Sequence, residues 1–212
     1  MKNGNKKLEI LIVDDDEKHL ADAQAEINKR IISGAAINVT YAKNYSESST
    51  QMSERRFDGI ISDIFFPSGV EDDEFLREQL YILLQEHIES QAEFHGYFAC
   101  FADTEEKREE QVVLLRKLRD STIEWVCGRS LAPYGLLVAQ IAHETKIPVV
   151  LCTSGHHHGS KIAPVAEAVK KYRVYVIDRI INDEKDYLNF EKESEKNWTK
   201  AIEELLNPPL RL

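Results

Sequence analysis

The sequence predicts an α/β fold built on a doubly wound, five-stranded parallel sheet. Two observations lead to this prediction. Short, mostly apolar runs of strand length recur along the 212 residues, and segments with helical spacing of apolar residues separate them. Runs of this kind are typical of strands that are buried on both faces. Strands that alternate with helices form parallel sheets with helices on both sides.

The first part of the chain contains three predicted strands and two predicted helices. The first helix has apolar residues on one face and ends at Ser33-Gly34. The second helix is short and polar. In chain order, the predicted elements are a strand at Leu8–Val13, a helix with its apolar face at Leu20, Ala23, Ile27 and Ile31, a strand at Ile37–Tyr41, a helix at Tyr45–Arg55 and a strand at Asp58–Ile64.

A helical insertion after the third strand interrupts this alternation. Residues 70–132 contain no convincing strand, but their apolar residues recur at helical spacing in two sets. We predict two long helices that are joined near Gly96–Asp103 and pack along an apolar seam. The first set is Phe75, Leu76, Leu80, Leu83, Leu84, Ile88 and Ala92, and the second is Val112, Leu115, Leu118, Thr122 and Val126.

The alternation of strands and helices resumes from Pro133. Residues 1–69 and 133–212 are therefore predicted to form one α/β domain that carries the insertion. The charge-rich stretch Asp183–Lys196 is predicted to be solvated. The predicted elements of this part are a helix at Leu136–Thr145, a strand at Ile147–Cys152, a helix at Ala163–Lys171, a strand at Arg173–Ile177 and a helix at Asn197–Leu206.

The composition argues against several classes of protein. The chain has 27 Lys and Arg residues against 37 Asp and Glu residues, so its formal net charge is −10. A negative surface argues against nucleic acid as the main ligand, because phosphate binding needs basic side chains. No apolar run is long enough to span a bilayer, and no secretory signal pattern is present. Three scattered cysteines, Cys100, Cys127 and Cys152, indicate a reducing compartment, and we expect a cytoplasmic protein.

Acidic residues follow the first and third predicted strands. Asp14, Asp15 and Asp16 come directly after Leu8–Val13, and Asp63 stands near the end of the third strand. In a parallel sheet the carboxyl ends of the strands meet at one edge, where ligands bind. Clustered carboxylates stay ionised only beside a cation, and their oxygens suit Mg²⁺. The sequence therefore predicts a Mg²⁺ site at this edge, although a single aspartate here could instead cap the first helix.

Four motifs in this order resemble the receiver domains of two-component response regulators. ILIVDDDEKHL resembles the family's first strand and acidic loop, and FDGIISDIFFP resembles its third strand, phosphoacceptor aspartate and trailing proline. IPVVLCTS resembles the fourth strand with the switch threonine, and VYVID resembles the fifth strand with the switch aromatic residue. The resemblance covers about residues 1–69 and 133–206. It implies a flavodoxin-like sheet with strand order 2-1-3-4-5 and a role in two-component signal transduction.

The resemblance also implies a set of site residues. Asp14 and Asp15 would be the acidic pair that holds Mg²⁺. Asp63 would accept the phosphoryl group and ligate the metal, and the backbone carbonyl of Phe65 would complete the protein ligands. Thr153 would hydrogen-bond a phosphoryl oxygen.

Signalling partners follow from the same resemblance. The phosphodonor would be a phosphohistidine on a sensor histidine kinase or a phosphotransfer protein. Tyr175 would swing inward after Thr153 engages the phosphoryl group, so that the new charge on Asp63 would bias the face around strands four and five. Because no output domain of a recognisable type follows, a downstream protein partner would read the signal by contact.

The chain departs from the family pattern in two places. The family has a lysine at the end of strand five, where this sequence has Asp178 followed by Arg179. Arg179 could replace the lysine if the chain shifts by one residue. Otherwise phosphorylation is altered, or the domain is a pseudo-receiver that acts as a phosphorylation-independent interaction module.

The second departure is the insertion at 70–132. It would lie over or beside the site, where it could supply a cation, block phosphodonors or bind the downstream partner. A homodimer is also compatible with the sequence.

A second function class remains open. The pattern Asp14-x-Asp16 also resembles haloacid-dehalogenase-type phosphohydrolases, with Asp14 as nucleophile and Asp16 as general acid. In that interpretation Lys161 would steady the phosphoryl group, Asp178 and Asp183 would hold Mg²⁺, and the insertion would be a cap. The Gly-Thr that follows the second aspartate in that family is absent here, and ISDIFFP is left unexplained.

One further cluster could bind a metal. The consecutive imidazoles of His156–His158 could hold a transition metal, or they could belong to a glycine-flanked surface loop.

Overall fold

In the computed structural model of the protein, five strands form one sheet in which every pairing is parallel. The structure describes residues 7–71, 73–85, 126–154, 174–177 and 196–207, together with isolated positions in 109–124 and 165–172. The strands are β1 (Leu8–Val13), β2 (Ile37–Ala42), β3 (Gly59–Ser62), β4 (Val149–Cys152) and β5 (Tyr175–Ile177). The sheet has the order β2-β1-β3-β4-β5, which confirms the predicted flavodoxin-like α/β fold.

Helices cover both faces of this sheet in the described part of the chain. Residues 74–85 are also helical and begin the predicted insertion. The helix that follows β1 is capped by Asp16, and the last helix is capped by Asn197. The helices are α1 (Glu17–Ile32), α2 (Tyr45–Glu54), α3 (Gly135–Thr145) and α4 (Trp198–Leu206).

Alternate residues of the buried strands face two separate apolar clusters. Ile10 and Ile12 of β1 pack with α1 and α4 on one face of the sheet. Leu11 and Val13 belong to the cluster on the opposite face, which includes α3. Successive side chains of a strand point to opposite faces, so a strand covered on both sides must be apolar throughout. This requirement explains why the strands could be recognised from short apolar runs.

The described part of the insertion packs onto the second cluster. Leu80, Leu84, Ile123 and Val126 are buried together with the sheet residues on that face. The predicted join near Gly96–Asp103 lies outside the described residues. The apolar seam at 74–85 therefore contributes to the same core as the sheet, while the division into a domain and an insertion stays a prediction.

In the described part of the chain, no helix combines the length and the apolar character that crossing a bilayer requires. Cys127 and Cys152 are both buried and carry free thiols. Burial raises the pKa of the Cys152 thiol to about 12, so this thiol is unreactive at neutral pH. Cys100 lies outside the described residues.

Asp73 ties the start of the insertion to the segment before α3. Its carboxylate accepts a 2.6 Å hydrogen bond from the Arg77 guanidinium and another, also 2.6 Å, from the Tyr134 hydroxyl. Arg77 in turn donates to the carbonyl of Cys127 at 2.7 Å. The hydrogen bond from Arg77 holds the pKa of Asp73 below its ordinary value, although partial burial opposes the shift.

A Tyr134→Phe variant should lose stability in a pH-dependent way. At neutral pH we expect a loss of about 1–2 kcal/mol, because the hydroxyl bonds an ionised acceptor. In the folded chain the pKa of the Asp73 carboxyl lies below its ordinary value of 3.8. The stability that the ionised carboxylate contributes is therefore present above about pH 4 and is lost as the pH falls through the lowered folded pKa. Urea unfolding at neutral pH and in steps below the ordinary pKa of 3.8 should show the difference between the two proteins becoming smaller as the pH falls.

Tyr41→Phe is the matched control for this experiment. The Tyr41 hydroxyl donates to Gln24, whose amide does not titrate, so its cost should not change over the same pH range. An identical pH dependence in both variants would contradict the role given to Asp73.

Candidate functional site

The loop that follows β1 divides its three aspartates between two structural roles. Asp16 is the N-cap of α1 and accepts a 2.7 Å hydrogen bond from the backbone N–H of Lys18. Asp14 is fully buried, and its carboxylate accepts from the backbone N–H of Asp16 at 3.0 Å. Asp16 therefore caps the first helix, whereas the side chains of Asp14 and Asp15 do not form this cap.

The end of β3 places Asp63 beside these residues. Val13 pairs with Ser62 in the parallel register, so the two strands end at the same level. The backbone N–H of Asp63 donates to the carbonyl of Val13 at 2.8 Å, which fixes the loop. One carboxylate oxygen each from Asp14, Asp15 and Asp63 lie within 4.8 Å of one another. The sheet thus brings together three of the four aspartates that the ends of the predicted strands indicate, and Asp16 is not in this group.

A buried lysine bridges two of these carboxylates. The ammonium of Lys196 contacts Asp14 Oδ2 and lies 2.8 Å from Asp63 Oδ2, with its side chain fully buried. The prediction that Asp183–Lys196 is solvated is therefore wrong at Lys196, the only residue of that stretch among those described. Two carboxylates offset the cost of removing this charge from water. Lys196 stands directly before the cap of α4, so that helix positions the ammonium.

The ionisation of the cluster reflects burial opposed by ion pairing. Burial raises the pKa of Asp63 above its ordinary value, and the Lys196 ammonium offsets only part of this effect. Burial acts in the same direction on Asp14, but the His19 imidazole, 3.5 Å away, and the charge of Lys196 outweigh it and lower the pKa. Burial also raises the pKa of Asp15. Burial disfavours the charge on Lys196, yet the two carboxylates raise its pKa.

His19 extends the cluster toward α1. Its Nδ1 lies 3.5 Å from Asp14 Oδ1. The interaction with Asp14 raises the pKa of His19 above its ordinary value, while partial burial opposes this shift. The imidazole therefore adds a second group that favours the ionised form of Asp14.

An open cavity of about 360 Å³ lies in front of Asp63. Asp63 lines it, whereas Asp14 does not. The wall combines residues from the first, third and fourth strand ends with two residues from the end of the predicted insertion. The lining is Asp15, Asp16, Lys18, His19, Asp63, Phe65, Arg129, Leu131, Thr153 and Ser154.

The structure places part of the predicted switch machinery at this cavity. Thr153 follows β4, is buried, and donates its backbone N–H to the carbonyl of Ile177 at 3.0 Å. Phe65 lines the cavity beside Asp63. Tyr175 begins β5, and only its backbone is described.

The other candidate site residues lie outside the described residues. They are Lys161, Asp178, Arg179, Asp183 and His156–His158. That Arg179 replaces the lysine of the family pattern stays a prediction. Among the described residues, the ammonium of Lys196 is the cation that contacts Asp63.

The donor set suits Mg²⁺. Three carboxylates and one ammonium leave two formal negative charges within the cluster, which a divalent cation would balance. Carboxylate oxygens are the ligands that Mg²⁺ takes in proteins, usually one or two of them with several waters. Asp15 and Asp63 both line the open cavity, so room for such waters exists beside them.

Comparisons of this chain with known proteins give no identification. No protein-family model, no curated protein and no solved structure matches it.

Proposed function

We propose that this protein is a Mg²⁺-dependent aspartyl phosphoacceptor that acts in phosphorelay signal transduction through contacts with other proteins, with Asp63 as the acceptor. The observation that carries the proposal is the position of Asp63. It is the carboxylate that faces the cavity and also contacts a buried ammonium. A nucleophile needs both access to its substrate and a neighbour that stabilises charge in the transition state.

The residues around Asp63 suit phosphoryl transfer. A carboxylate oxygen of Asp63 would attack phosphorus while the bond between phosphorus and the donor atom breaks and the donor keeps the electron pair. The Lys196 ammonium, 2.8 Å from Asp63 Oδ2, would stabilise the charge that changes at Asp63 during the transfer. Thr153 would donate its hydroxyl to another of these oxygens. A Mg²⁺ ion held by Asp14, Asp15, Asp63 and the Phe65 carbonyl would neutralise charge on the phosphoryl group.

The position of Asp14 argues against the hydrolase alternative. Asp14 has no exposed surface and does not line the cavity. Its Oδ1 accepts from the backbone of Asp16, and its Oδ2 contacts Lys196. A nucleophile in this position could not reach a substrate without rearrangement of the loop, so the geometry argues against Asp14 as the attacking group.

The decisive experiment compares two aspartate variants for covalent phosphorylation. The full chain would be incubated with Mg²⁺ and acetyl phosphate, and the mass of the intact protein would be followed over time. We expect the wild type to gain the mass of one phosphoryl group and Asp63→Asn to gain none, because the amide is not a nucleophile. Asp14→Asn should still be labelled, but should need more Mg²⁺.

Asp22→Asn is the control for this chemical change, because Asp22 is exposed on α1, away from the cavity. It should behave like the wild type. Turnover of a phosphate monoester that disappears in Asp14→Asn would support the hydrolase instead. A wild type that neither binds Mg²⁺ nor becomes labelled would support the phosphorylation-independent interaction module.

A further inference from the structure

The end of the predicted insertion forms one wall of the cavity in front of Asp63. Arg129 and Leu131 line this cavity together with residues from the three strand ends. Neither residue belongs to the segments that resemble a receiver domain. The cavity therefore contains a cationic side chain that the proposed phosphoacceptor chemistry has not yet used.

The backbone around Arg129 is fixed on both sides. The carbonyl of Cys127 accepts a 2.7 Å hydrogen bond from Arg77, and the carbonyl of Ala132 accepts from the backbone N–H of Phe66 at 3.3 Å. Phe66 lies three residues beyond Asp63 and is fully buried. The segment that carries Arg129 is thus held against the phosphoacceptor loop, and its side chain is exposed beside the cavity.

The charge around the cavity explains why such a residue is needed. A phosphodonor is an anion, and the chain carries a net charge of −10. Asp15, Asp16 and Asp63 line the cavity, together with the basic side chains of Lys18 and Arg129. The Lys196 ammonium does not line the cavity. Positive charge at the mouth offsets repulsion of an incoming anion. Arg129 supplies such a charge in the planar, forked form that binds phosphate oxygens in pairs.

We propose that Arg129 binds the phosphoryl oxygens of the donor at the mouth of the cavity and thereby determines how fast Asp63 is phosphorylated. This role rests on the proposed function. The step is the transfer described above: a bond forms between an Asp63 oxygen and phosphorus, and the bond between phosphorus and the donor breaks. With acetyl phosphate the leaving group is acetate, which keeps the electron pair.

The test measures the second-order rate constant of labelling by acetyl phosphate in Mg²⁺. We expect Arg129→Gln to lower this constant about 10- to 100-fold, because one charge-assisted contact to the donor is lost. Arg129→Lys should recover part of the rate, since a charge without the fork remains. The wild-type rate should fall with added salt, and the rate of Arg129→Gln should fall less steeply.

Arg56→Gln makes the same change in net charge at an exposed position that does not line the cavity, and should label at the wild-type rate. Mg²⁺ binding should be unchanged in Arg129→Gln, and urea unfolding should show that the variant is fully folded under the labelling conditions, which separates donor binding from a folding defect. Equal rates in Arg129→Gln and Arg56→Gln, with the wild type labelled on Asp63, would overturn the role of Arg129 alone. A wild type that is not labelled would overturn the proposed function and this inference together.

Discussion

Replacing Lys196 with methionine is expected to lower the free energy of unfolding by about 3 kcal/mol or more. The side chain of Lys196 is fully buried between Asp14 and Asp63, both of which are also nearly or fully buried. Methionine fills a similar volume but leaves two carboxylates without their cation. An uncompensated buried charge costs more than the ion pair itself contributes, so the single substitution should be severe.

A double-mutant cycle separates this electrostatic effect from a loss of packing. Adding Asp63→Asn to Lys196→Met removes one of the stranded charges, so the double variant should be more stable than the sum of the two single effects predicts. Lys200→Met is the matched control, because Lys200 is exposed in the first turn of α4 and its loss should change stability by less than about 0.5 kcal/mol. Additive effects of Asp63→Asn and Lys196→Met in urea unfolding would contradict the buried ion pair.

The sheet could be predicted from the sequence because its constraints are local. β1 is the predicted strand Leu8–Val13, and α4 begins one residue after the predicted start at Asn197, which is its cap. A strand covered on both faces must be apolar along its length, so burial is visible in a few consecutive residues. β3 is shorter than the predicted Asp58–Ile64, and Asp63 therefore lies in the loop just beyond the strand.

The bridging lysine could not be predicted in the same way. Lys196 closes a charge-rich stretch, and local composition of that kind normally indicates solvent exposure. Its burial depends on Asp14, which is 182 positions earlier in the chain. The available signal was its place directly before the amphipathic helix α4, which packs on one face of the sheet. Following the helix back to the strand ends would have placed Lys196 near the acidic cluster.

The acidic cluster could be predicted from the sequence only in part. Asp14, Asp15 and Asp63 could be grouped because strand order alone brings the ends of β1 and β3 together. The role of Asp16 could not be separated from theirs by sequence, since any aspartate at that position can cap a helix. The position of Arg129 at the cavity could not be predicted, because nothing in the sequence of 70–132 indicates which end of the insertion reaches the cavity.

We expect Gly135→Ala to destabilise the protein by about 2–3 kcal/mol. Gly135 is the first residue of α3 and donates its backbone N–H to the carbonyl of Ile64 at 3.0 Å. A Cβ atom at this position would overlap the carbonyl oxygen of Asp63 and would lie 2.8 Å from Ile64 Cα. Both obstacles are backbone, so neither can turn away as a side chain could.

The sign of the stability change in Gly135→Ala distinguishes an effect of helix propensity from an effect of steric overlap with the Asp63 loop. Helix propensity alone would make alanine better than glycine in α3 by up to about 1 kcal/mol, so a loss of stability must come from the close approach of α3 to the Asp63 loop. Gly59→Ala provides the comparison, because the atoms nearest to its Cβ would belong to the side chain of Leu205, which can adopt another rotamer, and we expect a smaller loss there. Displacement of the loop should also lengthen the 2.8 Å contact between Asp63 and Lys196 in a crystal structure of the Gly135→Ala variant. A neutral or stabilising Gly135→Ala in urea unfolding would show that α3 does not fix the position of Asp63.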